Sequence, residues 1–194
     1  VPSSDWSGVG AWDIMASGNW NGNGAWPALP SSPSIELIGG KRHQDIQLEW
    51  LPGSDCSGPV YTFEGHSEGG NSLKIPIGEE EFIWIEYRSD HGYDSNLPGN
   101  GLLVLQQDLR AGEIEDNLVN SHPERAWLKV IEADGEQNMV AGSNDGEESD
   151  VFKDGETFGS QGITIRNRDG ILVDWNTNAL MGAAVARPSP SPLG

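Results

Sequence analysis

From Leu51 onward, Gly, Asn, Asp and Pro turns cut the chain into short runs of β-branched and aromatic residues. That pattern admits strands and leaves no room for long helices. Val60–Phe63, Leu73–Ile77, Glu81–Tyr87, Leu102–Leu105, Trp127–Ile131, Ile163–Ile165 and Ile171–Trp175 all read as strands. Seven strands at this spacing predict a mainly β fold, a β-sandwich-like or barrel-like domain rather than a βαβ unit. Thr164 to Val173 is the clearest hairpin, with Asp169-Gly170 at its turn. The run Arg187-Pro188-Ser189-Pro190-Ser191-Pro192 cannot donate a regular backbone ladder and reads as an extended linker. The chain thus divides into a first unit over 1–51, a β-sandwich domain over 52–180 and a Pro/Ser-rich linker over 181–194.

The first unit is of another kind. Trp6, Trp12, Trp20 and Trp26 lie among Gly8, Gly10, Gly18, Gly22 and Gly24. Glycines permit tight turns and close backbone approach, while tryptophans supply the buried area that pins an irregular loop. Pro27, Pro30 and Pro33 follow, and Ser32 before Pro33 reads as a helix N-cap and first-turn pair. Gly39-Gly40 should interrupt that helix, and a second helical stretch is expected from Lys41 to Glu49, leading to Trp50.

Composition narrows the partners. The 194 residues suffice to bury a real core, and 36% hydrophobic against 21% charged residues is a globular composition. Thirty acidic against 11 basic residues leave a net charge of −19, which opposes approach to nucleic acid and to anionic membrane surfaces. No stretch has the length of a transmembrane helix, so membrane insertion is not expected. The single cysteine, Cys56, excludes an internal disulfide framework, and its acidic neighbourhood raises its thiol pKa, against a nucleophilic role. The opening at Val1, already inside a Trp/Gly-rich motif, suggests a piece of a longer, processed precursor.

Two groups of charged residues carry chemical expectations. Glu86 and Arg88 share one face of a strand among Ile83, Trp84 and Ile85, which predicts a buried ion pair of structural purpose. Between Glu132 and Glu156 stand nine acidic residues and one basic residue, Lys153. Asn144-Asp145-Gly146-Glu147-Glu148-Ser149-Asp150 sets oxygen ligands around a glycine, the composition of a calcium loop without the EF-hand spacing. Asp145 and Asp150 lead as calcium ligands, followed by Asn144, Asp134 and Asp94. A solvated acidic loop is the alternative. His43, His66, His91 and His122 are scattered, so no zinc site is expected within this chain.

The run Gly10-Ala11-Trp12-Asp13-Ile14-Met15-Ala16-Ser17-Gly18 resembles the Met-turn beneath the zinc of a metzincin-type peptidase, without the H-E-x-x-H helix that would bind the metal. Three later segments follow in order: Glu81-Phe82-Ile83-Trp84-Ile85-Glu86-Tyr87-Arg88, then Gly92-Tyr93-Asp94-Ser95-Asn96-Leu97-Pro98-Gly99-Asn100-Gly101-Leu102-Leu103-Val104, then Glu132-Ala133-Asp134-Gly135. Together with the turn, and with Ile46-Gln47-Leu48-Glu49-Trp50 at a helix-end position, they resemble the immune inhibitor A-type secreted zinc metallopeptidases, from about Gly8 to about Trp175. The chain departs from that family at Glu49, where members usually have glycine, and at Gln106, where they often have histidine.

The resemblance implies the C-terminal part of a metzincin-like α+β catalytic domain, followed by the β-domain, in a secreted or cell-surface enzyme. Trp12, Asp13 and Met15 would support the metal, and Gly18, Asn19 and Trp20 would belong to the substrate cleft. Zinc would be held by histidines in an N-terminal part of the same precursor, where a glutamate would activate water for attack on protein or peptide substrates. This chain alone, with no catalytic residue of its own, should be inactive. The alternative is a non-catalytic β-rich binding, adhesion or surface-structural module, in which exposed tryptophans would suit sugar stacking.

Overall fold

Alternation along the central strands decides the architecture, because it gives both faces of one sheet an apolar covering. A computed structural model describes residues 6–46, 61–111, 119–156, 163–170 and 184–185. The strands are β1 (His43–Asp45), β2 (Tyr61–Thr62), β3 (Ser72–Gly78), β4 (Glu81–Arg88), β5 (Gly101–Asp108), β6 (Leu128–Val130) and β7 (Ala184–Val185). A five-stranded mixed sheet has the order β1-β3-β4-β5-β6, and β2 pairs with β7 separately. Within the large sheet only β1–β3 is parallel; the other neighbours are antiparallel.

On one face Leu73, Ile75, Ile83, Ile85, Leu102 and Val104 pack with Phe63, Ile131, Phe152 and Ile165. On the other, Trp84, Leu103, Leu105, Leu128 and Val130 pack with Val9, Trp12, Met139 and Val151. Register explains the separation. Ile85 stands opposite Val104 and Trp84 opposite Leu105, so odd residues of β4 meet even residues of β5 on one face, and even residues of β4 meet odd residues of β5 on the other. A strand buried on both sides reads as a continuous apolar run, which is why β4 and β5 were visible in the sequence.

The fold is mainly β, as expected, but the sandwich is not what the described residues build. The layers over the large sheet are loops and short 3-10 turns rather than a second sheet of similar size. The expected strands at 73–77, 81–87, 102–105 and 127–131 all have counterparts. In place of the strand at 163–165 stand single bridge positions at Ile163 and Arg166, and residues 167–170 close the expected turn through Gly170 N–H to the Asn167 carbonyl at 2.9 Å. Ile171–Trp175, Cys56 and Trp50 lie outside the described residues. Within the expected linker, Ala184–Val185 instead pairs in parallel with Tyr61–Thr62.

The helix after the prolines is α1 (Ser32–Leu37); Ser31 rather than Ser32 is its N-cap, and it ends just before Gly39-Gly40. The second expected helix, Lys41–Glu49, is corrected: its described part holds β1. Ser72 N–H bonds the Arg42 carbonyl and Ile46 N–H bonds the Lys74 carbonyl, at 3.0 and 2.9 Å. The open edge of β3 offers a backbone ladder that a short polar stretch cannot match by local propensity alone. The expected division at 51/52 therefore falls between two hydrogen-bonded neighbours of one sheet, β1 and β3.

Candidate functional site

Asp13 organises the Met-bearing turn. Its side chain is fully buried and accepts hydrogen bonds from Met15 N–H (2.8 Å), Ser31 N–H (3.0 Å), Ser31 Oγ (2.5 Å) and Ser34 Oγ (2.7 Å). Its carbonyl accepts from Ala16 and Gly18 N–H. A carboxylate is an acceptor-only group, and this one gathers its donors from the turn and from the start of α1. Gly18 is needed for closeness: a Cβ there would lie 2.6 Å from the Asp13 carbonyl oxygen. Gly10 is needed for both conformation and closeness, with φ +50° and an added Cβ only 2.1 Å from the Asp145 carbonyl.

The base of the turn is sealed and its tip is open. Trp12 and Asp13 are 0% exposed, whereas Met15 and Trp20 are each 73% exposed. Ile14, Asn19 and Trp26 are exposed as well, and Gly18 is buried. Trp26 meets exposed Tyr93 edge-on, with ring centroids 6.4 Å apart.

Beneath the turn lies a frame of buried charge on β4. Arg88 donates to Glu86 Oε1 at 2.9 Å, to Asp94 Oδ1 at 3.1 Å and to the Trp12 carbonyl at 2.7 Å. Glu86 also accepts from Ser32 N–H at 2.9 Å. The Glu86–Arg88 pair expected from the sequence is thus present, and it ties the Met-bearing turn and α1 to the central strand. Asp94, proposed from sequence as a calcium ligand, is instead committed to this guanidinium; it is buried and joins no carboxylate cluster among the described residues.

His66, also buried, places Nε2 2.8 Å from the Pro30 carbonyl and Nδ1 3.8 Å from Glu86. Burial lowers its pKa against the opposing pull of Glu86, which keeps the imidazole neutral. Burial alone would raise Glu86, but the Arg88 guanidinium, helped by the hydrogen bond from Ser32, holds it down to about 2. A histidine with a lowered native pKa resists protonation, so its contribution to stability falls once the pH drops below the unfolded value of about 6.5. Glu86 behaves in the depressed-carboxylate sense: its contribution is complete above about 4.3 and is lost as the pH falls toward 2. In urea titrations, wild type should therefore lose stability relative to His66→Gln between pH 7.5 and 5. A difference independent of pH would contradict a neutral buried imidazole.

The acidic loop supplies a second constellation. Glu132, Asp134 and Asp150 offer carboxylate oxygens all within 4.8 Å of one another. Glu132 accepts from Asn138 N–H (2.6 Å) and Met139 N–H (3.2 Å); Asp150 Oδ2 accepts from Glu147 N–H (2.7 Å) and Trp12 Nε1 (3.2 Å). Burial, then the neighbouring carboxylates, push Glu132 and Asp150 up, against the hydrogen bonds each accepts.

Of the ligands expected from sequence, Asp134 and Asp150 are thus brought together. Asp145 is outside both carboxylate groups and contributes its carbonyl to Ala11 N–H at 2.7 Å. Asn144 spends its side chain on Gly146 N–H and on Glu147. Glu132 belonged to the acidic run but had no spacing signal marking it as a partner of Asp150. Ser31 and Ser34, which complete the Asp13 site, carried no signal either.

Among the described residues no histidine joins a metal-binding group. His43 packs against the Trp84 ring, His66 belongs to the buried frame, and His91 and His122 are exposed beside Asp90 and Glu124. Gln106 donates to Glu81 at 2.7 Å and to the Arg166 carbonyl at 2.8 Å. It serves as a bridge between β5 and the 163–170 segment. The chain matches no family model, no curated protein and no solved structure. No helix among the described residues is long and apolar enough to cross a membrane.

Proposed function

We propose that this chain is the supporting portion of a secreted zinc metalloendopeptidase of immune inhibitor A type. In this reading Met15 is the apolar floor beneath zinc-binding imidazoles carried by an N-terminal part of the same precursor. The 18–26 loop, with Gly18, Asn19 and Trp20, walls the cleft for a protein or peptide substrate, and the sheet is its buttress. The reading includes the metzincin-like origin of the first unit.

The observation that carries it is the contrast within four residues: Met15 stands 73% exposed on a turn whose Trp12 and Asp13 are fully buried. Single exposed apolar side chains are ordinary, but Ile14, Met15, Trp20 and Trp26 come from one segment. A rigidly held base with an uncovered apolar tip suits a surface that another part of a protein completes. A methionine there fills a gap under ligands without competing for the metal.

The test uses the complete precursor. Met15→Ser should reduce zinc affinity or casein hydrolysis about 10–100-fold, the usual effect of removing a group that supports metal ligands. The same change in the isolated chain should shift stability by less than about 0.5 kcal/mol, because the side chain is exposed. Unchanged proteolysis in the Met15→Ser precursor, or a precursor without an H-E-x-x-H segment, would overturn the proposal. The exposed Trp26–Tyr93 pair with Trp20 favours glycan stacking as the second reading. Glycan binding lost in Trp20→Ala and Trp26→Ala, without zinc or proteolysis, would establish that instead.

A further inference from the structure

We propose that Glu132, Asp134 and Asp150 form a calcium site that clamps the acidic loop beneath the Met-bearing turn. The proposal stands on its own residues and does not depend on the peptidase reading. Three carboxylates converge within 4.8 Å, with Glu132 and Asp150 only 4% and 0% exposed. Like charges this close repel, and the repulsion grows as water is excluded. No lysine, arginine or histidine among the described residues forms an ion pair with any of the three; Lys153 pairs with Glu148, and Arg166 donates to the Gly170 carbonyl.

A separate observation points to a ligand. Asp150 Oδ1 is buried and has no hydrogen-bond partner, although Oδ2 of the same carboxylate has two donors. An orphaned oxygen in a fully buried carboxylate is costly, and native structures leave few of them. A cation satisfies that oxygen and neutralises its two neighbours at once. The donor set is all oxygen, which selects a hard ion over zinc or copper. Calcium accepts irregular geometry with six to eight oxygens, whereas magnesium demands near-octahedral placement that a loop of this kind does not impose. Asp134 is also near exposed Glu136 and the half-buried Glu147. That group has no orphaned buried atom and is left out of the site.

The position gives the ion a structural purpose. Glu132 holds the amides of Asn138 and Met139, Met139 packs beside Trp12, and Trp12 donates to Asp150. Binding at these carboxylates would fix the loop and the turn in one step.

The chelator-treated full chain, titrated with calcium at constant ionic strength, should bind one ion per chain by calorimetry. Its Tm should rise by about 5–10 °C when calcium is 100-fold above Kd. Magnesium should give a much smaller rise. Asp150→Asn and Asp134→Asn should each remove the calcium-dependent rise, and Asp134, being exposed, decides the matter if the Asp150 variant does not fold. Terbium in place of calcium should emit on tryptophan excitation, because Trp12 Nε1 is 3.2 Å from an Asp150 oxygen. A calcium-independent Tm, an equal rise with magnesium, or a full calcium rise in Asp134→Asn would overturn the assignment.

Discussion

Exchanging Arg88 for methionine should destabilise the protein by about 3–5 kcal/mol, the cost of leaving buried partners of a charge uncompensated. Against a typical stability of about 5–15 kcal/mol for a whole domain, that is enough to unfold a large fraction of the molecules. The reason is local. Glu86 and Asp94 are 1% and 2% exposed, and both face the guanidinium, which also holds the Trp12 carbonyl. Without Arg88, burial dominates Glu86 and raises its pKa, so the variant should regain stability relative to wild type on acidification. Adding Glu86→Gln and Asp94→Asn to Arg88→Met should recover part of the loss at neutral pH. Guanidinium titrations followed by tryptophan fluorescence would measure all of these. A loss below about 1 kcal/mol for Arg88→Met would mean that the frame is solvated and not structural.

Trp12→Ala should cost a similar amount, about 3–5 kcal/mol, as expected for removing a large buried aromatic. Trp12 is fully buried with Trp84, Leu103, Leu105 and Met139 around it, so the cavity would lie under the sheet and not at its edge. Trp12→Phe separates packing from hydrogen bonding. It keeps most of the ring volume but removes the Nε1 donor to Asp150, leaving that buried carboxylate with one donor fewer. That loss is worth about 1–3 kcal/mol. Hydrogen exchange should then accelerate at Met139 and across 145–150 in both variants, because Trp12 and the Ala11 N–H to Asp145 carbonyl bond join the two segments. Unchanged protection in that loop would show that the turn and the loop are held independently.

Much of the sheet was legible because its signal is local. Phe82–Ile85 in β4 and Leu102–Leu105 in β5 are apolar on both faces, so a short continuous hydrophobic run bounded by turns identified them. Glu86 and Arg88 were legible as a pair because strand geometry puts i and i+2 on one side. The candidate sites were legible in part. Asp13 stood out by its place beside Met15, while Ser31 and Ser34 reach it only because α1 folds back over the turn. Asp134 and Asp150 could be named from composition, but Glu132 as their partner depends on the path of the loop between them. Asp94 shows the reverse: an acidic residue in a polar loop that the fold turns inward to Arg88.

Periodicity, turn residues and capping act over a few neighbours, and they suffice to dictate a mainly β chain, its central strands, the proline-led helix and the irregular Trp/Gly turn. Long-range packing adds that residues 43–45 join the sheet, that loops cover its faces, and that carboxylates far apart in the chain meet at one site. Those outcomes rest on open strand edges and on buried charge seeking partners. Both are properties of surfaces brought together by folding, and no local stretch of residues encodes them.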